Sequence, residues 1–267
     1  HDKWNNNIII KNNRFEGCTY SAIRPYKWSQ VLIEGNIFHD CSKAVRYSVP
    51  TPNTVNTEDK DGVQSGVTQS GSDINIVNNF VYNCLSPFLL EGYRSSDGSV
   101  LVLVNRIIIQ GNTAYGTSTD SNLVTISQVK DVTIADNVGQ ISRRLLYASY
   151  SEGLSITGNK SSDTINHIYL FNCKGATVSG NIGQGCDQHG VQIEACKSIN
   201  VNGNTLMDCS LSDSVYHGIY VFSASDLVLV NGNVITEDSP LMASAVNISS
   251  DSTNCTQSNN LTNVGGA

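Results

Sequence analysis

Residues 154–159 read LSITGN, and the same frame returns at residues 176–181 as ATVSGN and at residues 199–204 as INVNGN. Each copy has apolar side chains at its first and third positions and asparagine at its sixth. Ten copies, the last one degraded, end at Asn13, Asn36, Asn79, Asn112, Asn137, Asn159, Asn181, Asn204, Asn233 and Asn260. Alternation with a period of two predicts a β-strand in each copy. Successive asparagines are 22 to 43 residues apart, and the recurring minimum predicts a solenoid whose longer intervals contain loops.

A second strand precedes each copy by about eight residues. Examples are HIYLF at 167–171, GVQIE at 190–194 and GIYVF at 218–222. Two or three short strands in a coil of 22 residues are typical of a right-handed single-stranded parallel β-helix. We therefore predict one all-β solenoid domain over residues 1–267, with about ten coils and a loop insertion at about 48–71. The opening residues already lie inside a repeat, so we expect the sequence to be part of a longer protein.

The repeat asparagine has a structural explanation. The chain must bend after each strand, and asparagine or glycine tolerates the left-handed conformation expected there. Stacked coils bring the same position back about every 4.8 Å, so the side-chain amides are expected to bond to their copies above and below. In this interpretation Asn159 turns the chain and bonds to Asn137 and Asn181.

The cysteines follow the repeat as well. Five of the eight lie five residues after a repeat asparagine, and they are Cys18, Cys41, Cys84, Cys186 and Cys209. Three other copies have Thr117, Ser142 and Thr164 there, so the column accepts small side chains, which we expect to point inward. We therefore expect reduced, buried thiols and synthesis in a reducing compartment. No cysteine or histidine set has the spacing of a zinc site, and the sequence predicts neither a metal nor another cofactor.

Composition excludes several partners. Charged residues make up only 15% of the chain, the net charge is −7, and no basic run occurs. A nucleic-acid partner is therefore not expected. No apolar stretch reaches the roughly 18 residues of a membrane span, so membrane insertion is not expected either.

The second strands carry the most informative pattern for function. Aligning them by their distance to the next repeat places alternate residues outward in two columns. The outward residues on successive coils include Tyr147, Tyr169, Phe171, Gln192, Tyr220 and Phe222, and the rim beside them holds His167, His189 and His217. Aromatic rings beside amide and imidazole groups suit sugars, because rings cover C–H faces and polar groups bind hydroxyls. The alternative is that loops or another subunit cover this stripe.

Carboxylates near the stripe point to hydrolysis of a glycosidic bond, which needs an acid and a base or nucleophile. Glu194 lies in the middle of the stripe and is the first candidate for the acid. Its neighbours Phe171 and Phe222 favour the protonated form of a carboxyl group. Asp187 and Asp213 are the candidate partners, from turns one coil apart.

A second possible site surrounds the insertion. Arg24 and Arg46 have similar outward positions on consecutive coils, which suits an acidic sugar, and Glu91 and Arg94 lie on nearby coils. The insertion itself adds three acidic residues, Glu58, Asp59 and Asp61. The alternative is a solvated acidic loop.

The coils LSITGN, ATVSGN and INVNGN, and the phrases HGVQIEACKSINVNGN and HGIYVFSASDLVLVNGN, resemble the pectate-lyase-like right-handed β-helix superfamily over almost the whole chain. Within that superfamily the chain looks most like a bacteriophage tailspike β-helix. The aspartate motifs of polygalacturonases are missing, and CDQHG at 186–190 lacks the proline of the alginate epimerase motif. No Asp-rich calcium site of the pectate lyase kind stands out.

This resemblance implies a tailspike-type depolymerase, an endo-glycosidase that acts on a bacterial surface polysaccharide. It further implies a homotrimer in a virion tail, made in the host cytoplasm. A non-catalytic adhesin or fibre domain is one alternative, with a secreted or cell-surface location. A polysaccharide lyase or epimerase that uses the tyrosines and histidines is the other.

Overall fold

The computed structural model describes residues 5–25, 28–49, 71–98, 101–116, 121–141, 143–238 and 241–264. Within these ranges the chain forms β-strands and no α-helix. A membrane-spanning helix is accordingly not found in the described ranges. Most of the predicted insertion at 48–71, including Glu58, Asp59 and Asp61, falls outside them.

Three long parallel sheets run the length of the molecule. The first contains β1 (Asn5–Lys11), β3 (Trp28–Glu34), β6 (Ser72–Val77), β11 (Val104–Gln110), β14 (Val129–Ala135), β17 (Glu152–Thr157), β20 (Lys174–Ser179), β23 (Lys197–Asn202), β26 (Asp226–Asn231) and β29 (Thr256–Ser258). The second contains β2 (Arg14–Glu16), β4 (Ile37–His39), β7 (Phe80–Tyr82), β12 (Thr113–Tyr115), β15 (Val138–Gln140), β18 (Lys160–Thr164), β21 (Ile182–Cys186), β24 (Thr205–Cys209), β27 (Val234–Thr236) and β30 (Leu261–Asn263).

The third sheet contains β5 (Val45–Ser48), β8 (Phe88–Glu91), β13 (Asn122–Ser127), β16 (Arg144–Ser149), β19 (Asn166–Phe171), β22 (Val191–Glu194), β25 (His217–Phe222) and β28 (Ser244–Ile248). A short antiparallel pair, β9 (Tyr93–Arg94) and β10 (Leu101–Val102), lies outside these sheets. Each strand pairs with its counterpart one coil away, which confirms the predicted right-handed parallel β-helix, with about nine turns.

The core is a stack of inward-facing aliphatic side chains. In the first sheet Ile134, Ile156, Val178 and Val201 align on successive strands, and each is completely buried. Each is the third residue of its repeat copy, so the repeat pattern places these side chains in the core. Each such side chain contributes roughly 1.5–3 kcal/mol relative to an exposed one.

The asparagine ladder is present from Asn13 to Asn260. The side-chain oxygen of Asn159 accepts from the backbone nitrogen of Asn137 at 3.1 Å and from its Nδ2 at 2.9 Å. Asn159 in turn donates from Nδ2 to Oδ1 of Asn181 at 2.9 Å. Asn159 therefore bonds to Asn137 and Asn181, as the sequence predicts.

The bend differs from the prediction in one residue. The left-handed conformation belongs to the residue before the ladder asparagine, such as Gly158 with φ of 66° or Asp136 with φ of 54°. The ladder asparagines themselves have ordinary φ values. The reason is that a side chain at the left-handed position points to solvent, whereas the next residue points into the coil, where its amide meets its copies.

All eight cysteines are free thiols, as predicted. Those that are buried are Cys41, Cys84, Cys173, Cys186, Cys196 and Cys209. Cys186 and Cys209 are direct partners on adjacent strands. The thiols thus fill the core as small apolar groups.

Candidate functional site

The third sheet presents the outward columns that the sequence predicts. Tyr147 pairs with Tyr169, Tyr169 with Gln192, and Gln192 with Tyr220. In the parallel column Phe171 pairs with Glu194 and Glu194 with Phe222. We call the outward set the aromatic face, and its members are Tyr147, Tyr169, Phe171, Gln192, Glu194, Tyr220 and Phe222. All seven are half-buried.

The rings of the aromatic face contact one another. Tyr147 and Tyr169 have centroids 5.3 Å apart, and Tyr220 stacks on Phe222 with centroids 4.4 Å apart and planes 3° from parallel. Such contacts restrict the rotation of these four rings before any ligand arrives. The face is therefore a rigid surface, and about 14 Å separates its first strand, β16, from its last, β25.

Glu194 is held by a tyrosine of the preceding coil. The Tyr169 hydroxyl donates a hydrogen bond to Oε2 of Glu194. Burial, reinforced by this bond, raises the pKa of Tyr169 above its usual value. The phenol therefore stays protonated at neutral pH and acts as the donor to Glu194.

Arg144, at the start of β16, is a member of this site that the sequence interpretation missed. Its guanidinium carbon lies 5.8 Å from the centre of the Tyr147 ring and 5.0 Å from that of Tyr169. Its Nε donates to Oδ1 of Asn166 at 3.2 Å, and Asn166 donates to Oε1 of Gln192 at 3.3 Å. Burial, and then the charge of Arg143, lower the pKa of Arg144 to about 10.

The signal for Arg144 was present in the register. It lies three residues before Tyr147, and the same offset from the next coils leads to Asn166, His189 and His217. This column carries polar side chains beside every outward aromatic or amide residue. Extending the alignment three residues toward the amino terminus would have found it.

His189 and His217 lie at the predicted rim. Their rings stack with centroids 5.5 Å apart, and both contact the ring of Tyr220, at 4.8 and 5.0 Å. Nδ1 of His189 accepts from the backbone nitrogen of His217. Burial, and then the neighbouring His217, lower the pKa of His189 to about 4. Burial also lowers the pKa of His217, so both rings are neutral at pH 7.

His167 does not lie at the rim. It is completely buried, Nδ1 bonds with the Ser161 hydroxyl, and Nε2 has no partner among the described residues. Burial lowers its pKa to about 3. The prediction erred by one residue: Asn166, and not His167, is in register with His189, so the His167 ring points into the coil.

The predicted carboxylate partners are exposed and lie apart from Glu194. Asp187 and Asp213 lie in the turns that precede β22 and β25, whereas Glu194 is the last residue of β22. The strand alone spans about 10 Å. Within one chain, the structure does not bring these aspartates beside Glu194.

The predicted basic site is centred on Tyr20. The guanidinium carbons of Arg24 and Arg46 lie 4.8 and 5.2 Å from the centre of its ring, and Nζ of Lys43 lies 5.8 Å from it. Arg46 also bonds to the Tyr20 hydroxyl. Burial, and then Arg46, lower the pKa of Lys43. Three cations thus surround one ring, at the end of the third sheet remote from Tyr220.

The first sheet carries a shallow cleft of about 290 Å³, lined by Asp73, Arg106 and Asp131 among others. The Asp73 carboxylate accepts from Arg106 at 2.6 and 2.8 Å. These two charges satisfy each other at an exposed position, so the cleft is a weaker candidate than the aromatic face.

Comparison with known proteins agrees with the fold. Residues 104–267 match the family model described as periplasmic copper-binding protein (NosD). The enzymatically active domain of tailspike protein 2 from bacteriophage CBA120 is similar in structure, with a TM-score of 0.51 and 12% identity over 87% of this chain and 35% of that one. The present chain therefore spans about a third of that tailspike domain.

Two further structures are similar. The A-module of a mannuronan C-5 epimerase from Azotobacter vinelandii has a TM-score of 0.47 and 11% identity, over 97% of this chain and 81% of that one. The lacto-N-biosidase of Eubacterium ramulus has a TM-score of 0.46 and 8% identity, over 91% of this chain and 51% of that one. A search of curated protein sequences found no match.

Proposed function

The chain belongs to the NosD family of β-helical proteins, and on that scaffold we propose that the aromatic face binds a polysaccharide. The register of Tyr147, Tyr169, Gln192 and Tyr220 on four consecutive strands carries the proposal. Outward rings repeat along one line together with an amide and a carboxylate. A polymer of sugar rings is a ligand of matching shape and chemistry.

The energetics favour such a ligand. Aromatic rings supply large contact areas and are already restricted by their neighbours, so little conformational entropy is lost on binding. Gln192 and Glu194 offer hydrogen bonds to hydroxyl groups. The named tailspike, epimerase and lacto-N-biosidase neighbours share the scaffold, and the proposal itself rests on the side chains of this chain.

Copper does not fit the residues that the structure describes. The family is named for a periplasmic copper-binding protein, but no group of three or more His, Cys, Asp or Glu side chains in the described ranges is placed to hold a metal ion. His217 engages both ring nitrogens, with Ser244 and with Asn247. We therefore derive no step through copper.

Cleavage of the bound polysaccharide is a second, finer proposal, and the pairing of Glu194 with Tyr169 at the centre of the aromatic face supports it. In an endo-glycosidase of the tailspike type, protonated Glu194 would be the acid: Oε2 accepts from the Tyr169 hydroxyl, and the proton on the other carboxyl oxygen passes to the leaving oxygen. A base would activate water on the other side of the bond. Asp187 or Asp213 of a neighbouring copy in a homotrimer would supply that base. This proposal implies a tail or extracellular location.

A binding and product assay tests both proposals. The full chain is mixed with purified lipopolysaccharide, alginate, hyaluronan, dextran sulfate and dextran, and retardation in affinity gels is measured. We expect at least one polymer to retard the wild type and Tyr169→Ala to abolish the retardation. Binding to none of them, or equal binding by the variant, contradicts the binding proposal.

Products of the bound polymer separate binding from cleavage. New reducing ends without an ultraviolet-absorbing unsaturated product indicate hydrolysis, and Glu194→Gln should then stop cleavage while binding persists. Unsaturated products indicate a lyase instead. Unchanged cleavage by Glu194→Gln overturns the role of Glu194, and binding without any product leaves the chain a non-catalytic glycan-binding protein.

A further inference from the structure

We propose that the polysaccharide carries an anionic group and that Arg144 binds this group. The inference rests on the proposed function of the aromatic face and adds a chemical class to its ligand. A carboxylate, a sulfate and a phosphate share the chemistry that a guanidinium recognises.

Arg144 has no counter-charge among the described residues. Within the part of the chain that the structure describes, Arg144 has one hydrogen-bond acceptor, Oδ1 of Asn166, and it receives that bond from Nε. No ion pair to a carboxylate is formed by Arg144 among these residues. Charged side chains that are partly removed from water are usually paired, because an unpaired charge loses hydration without compensation.

The neighbours of Arg144 also set the orientation of its guanidinium. The guanidinium lies over the half-buried rings of Tyr147 and Tyr169, at 5.8 and 5.0 Å. With Nε engaged by Asn166, the two terminal nitrogens are the groups available for a planar, bidentate contact. Stacking and the Nε bond fix the plane of the group, so a ligand does not need to order it.

The position of Arg144 in the fold suits the same role. Arg144 contacts Tyr169, and Tyr169 bonds to Glu194, so the guanidinium lies next to the centre of the aromatic face. A sugar ring packed on Tyr147 and Tyr169 places its substituents beside Arg144. Arg106 on the first sheet differs from Arg144, because its guanidinium forms an ion pair with Asp73.

Paired polymers test the proposal. Alginate is compared with its carboxyl-reduced form, dextran sulfate with dextran, and glycerol teichoic acid with dextran, each by isothermal titration with the full chain. We expect the wild type to bind at least one acidic polymer and to bind its neutral counterpart at least tenfold more weakly. The acidic polymer that binds identifies the anionic group as carboxylate, sulfate or phosphate.

Variants locate the contact. Arg144→Gln should weaken binding of the acidic polymer at least tenfold. Arg144→Lys should recover part of the loss, because it keeps the charge but lacks the bidentate fork. Arg106→Gln, which removes the same charge from the first sheet, should leave affinity within twofold. Thermal unfolding of each variant checks that the fold is intact.

Three results overturn the proposal: no binding to any acidic polymer, equal binding to a charged and neutral pair, or equal losses in Arg144→Gln and Arg106→Gln. A different result would be that neutral polymers bind the wild type, bind Tyr169→Ala more weakly and bind Arg144→Gln equally well. That result would overturn the role of Arg144 while supporting the aromatic face. Binding to no polymer at all would overturn both.

Discussion

Tyr169 donates its phenolic hydrogen bond to Glu194, the residue that occupies the neighbouring outward column one coil further along. The bond ties the aromatic and the acidic parts of the aromatic face into one unit. It also fixes the carboxylate between Phe171 and Phe222, which flank it on the adjacent strands. Substitutions at Tyr169 can therefore separate the contribution of its ring from that of its hydroxyl.

Tyr169→Phe removes the hydroxyl and keeps the ring, whereas Tyr169→Ala removes both. If the ring covers a sugar face, the phenylalanine variant should lose no more than about threefold in affinity and the alanine variant at least tenfold, or about 1.4 kcal/mol. Titration of a polysaccharide that binds the wild type measures both. Equal losses would show that the ring does not form the contact.

The asparagine ladder should contribute strongly to stability. Asn159→Ala removes the acceptor for the backbone nitrogen of Asn137 and the donor to Oδ1 of Asn181. Because both partners are buried, we expect a loss of about 2–4 kcal/mol in the free energy of unfolding. Denaturant titration measures it, with Thr177→Ala on an outward position as the control. A loss equal to that of the control would show that the ladder adds little.

Buried His167 should make stability depend on pH. Its pKa is about 3 in the folded chain, below the ordinary value of 6.5, so the unfolded chain takes up the proton first as the pH falls. Stability from this group is therefore present above about pH 6.5 and is lost as the pH falls toward 3. The loss between pH 7 and pH 4.5 should be about 2 kcal/mol.

Denaturant titrations at those two pH values measure this effect. His167→Gln should unfold with a smaller difference between them than the wild type. His189, whose pKa is also lowered, contributes in the same direction and keeps part of the dependence in the variant. An identical difference in wild type and variant would contradict the account of His167.

Thiol reactivity should report the two cysteine environments. Cys18 and Cys255 are partly exposed and the other six are buried, so an aromatic disulfide reagent should modify two thiols quickly and six only after unfolding. The total in denaturant should be eight. Fewer than eight would indicate disulfides, and eight rapid reactions would show that the core does not protect its thiols.

The fold could be predicted in detail from the sequence because the repeat specifies which side chains are buried and which face outward. Leu154 and Ile156 alternate with polar residues, and the same alternation aligned the second strands well enough to pair Tyr169 with Gln192. Errors arose at the ends of strands, where alternation stops. There the left-handed position was assigned to Asn159 rather than to Gly158, and His167 was placed one residue out of register.

The site was harder to predict for the same physical reason. The register places Arg144 beside the aromatic face, but its stacking on Tyr169 and its bond to Asn166 of the next coil depend on the direction of the side chain, which the register does not specify. Carboxylate pairing depends on where turns place their side chains. Asp187 and Asp213 lie in turns, where the alternation of apolar and polar residues does not predict the direction of a side chain.

Binding at the aromatic face is tested by comparing two faces of the same molecule. Tyr147→Ala and Tyr220→Ala change the aromatic face, whereas Ile108→Ala and Leu229→Ala change exposed aliphatic residues on the first sheet. Titration with a polysaccharide that binds the wild type should show at least a tenfold loss of affinity for each tyrosine variant and less than a twofold change for each control. Equal effects on both faces, or losses confined to the first sheet, would contradict binding at the aromatic face.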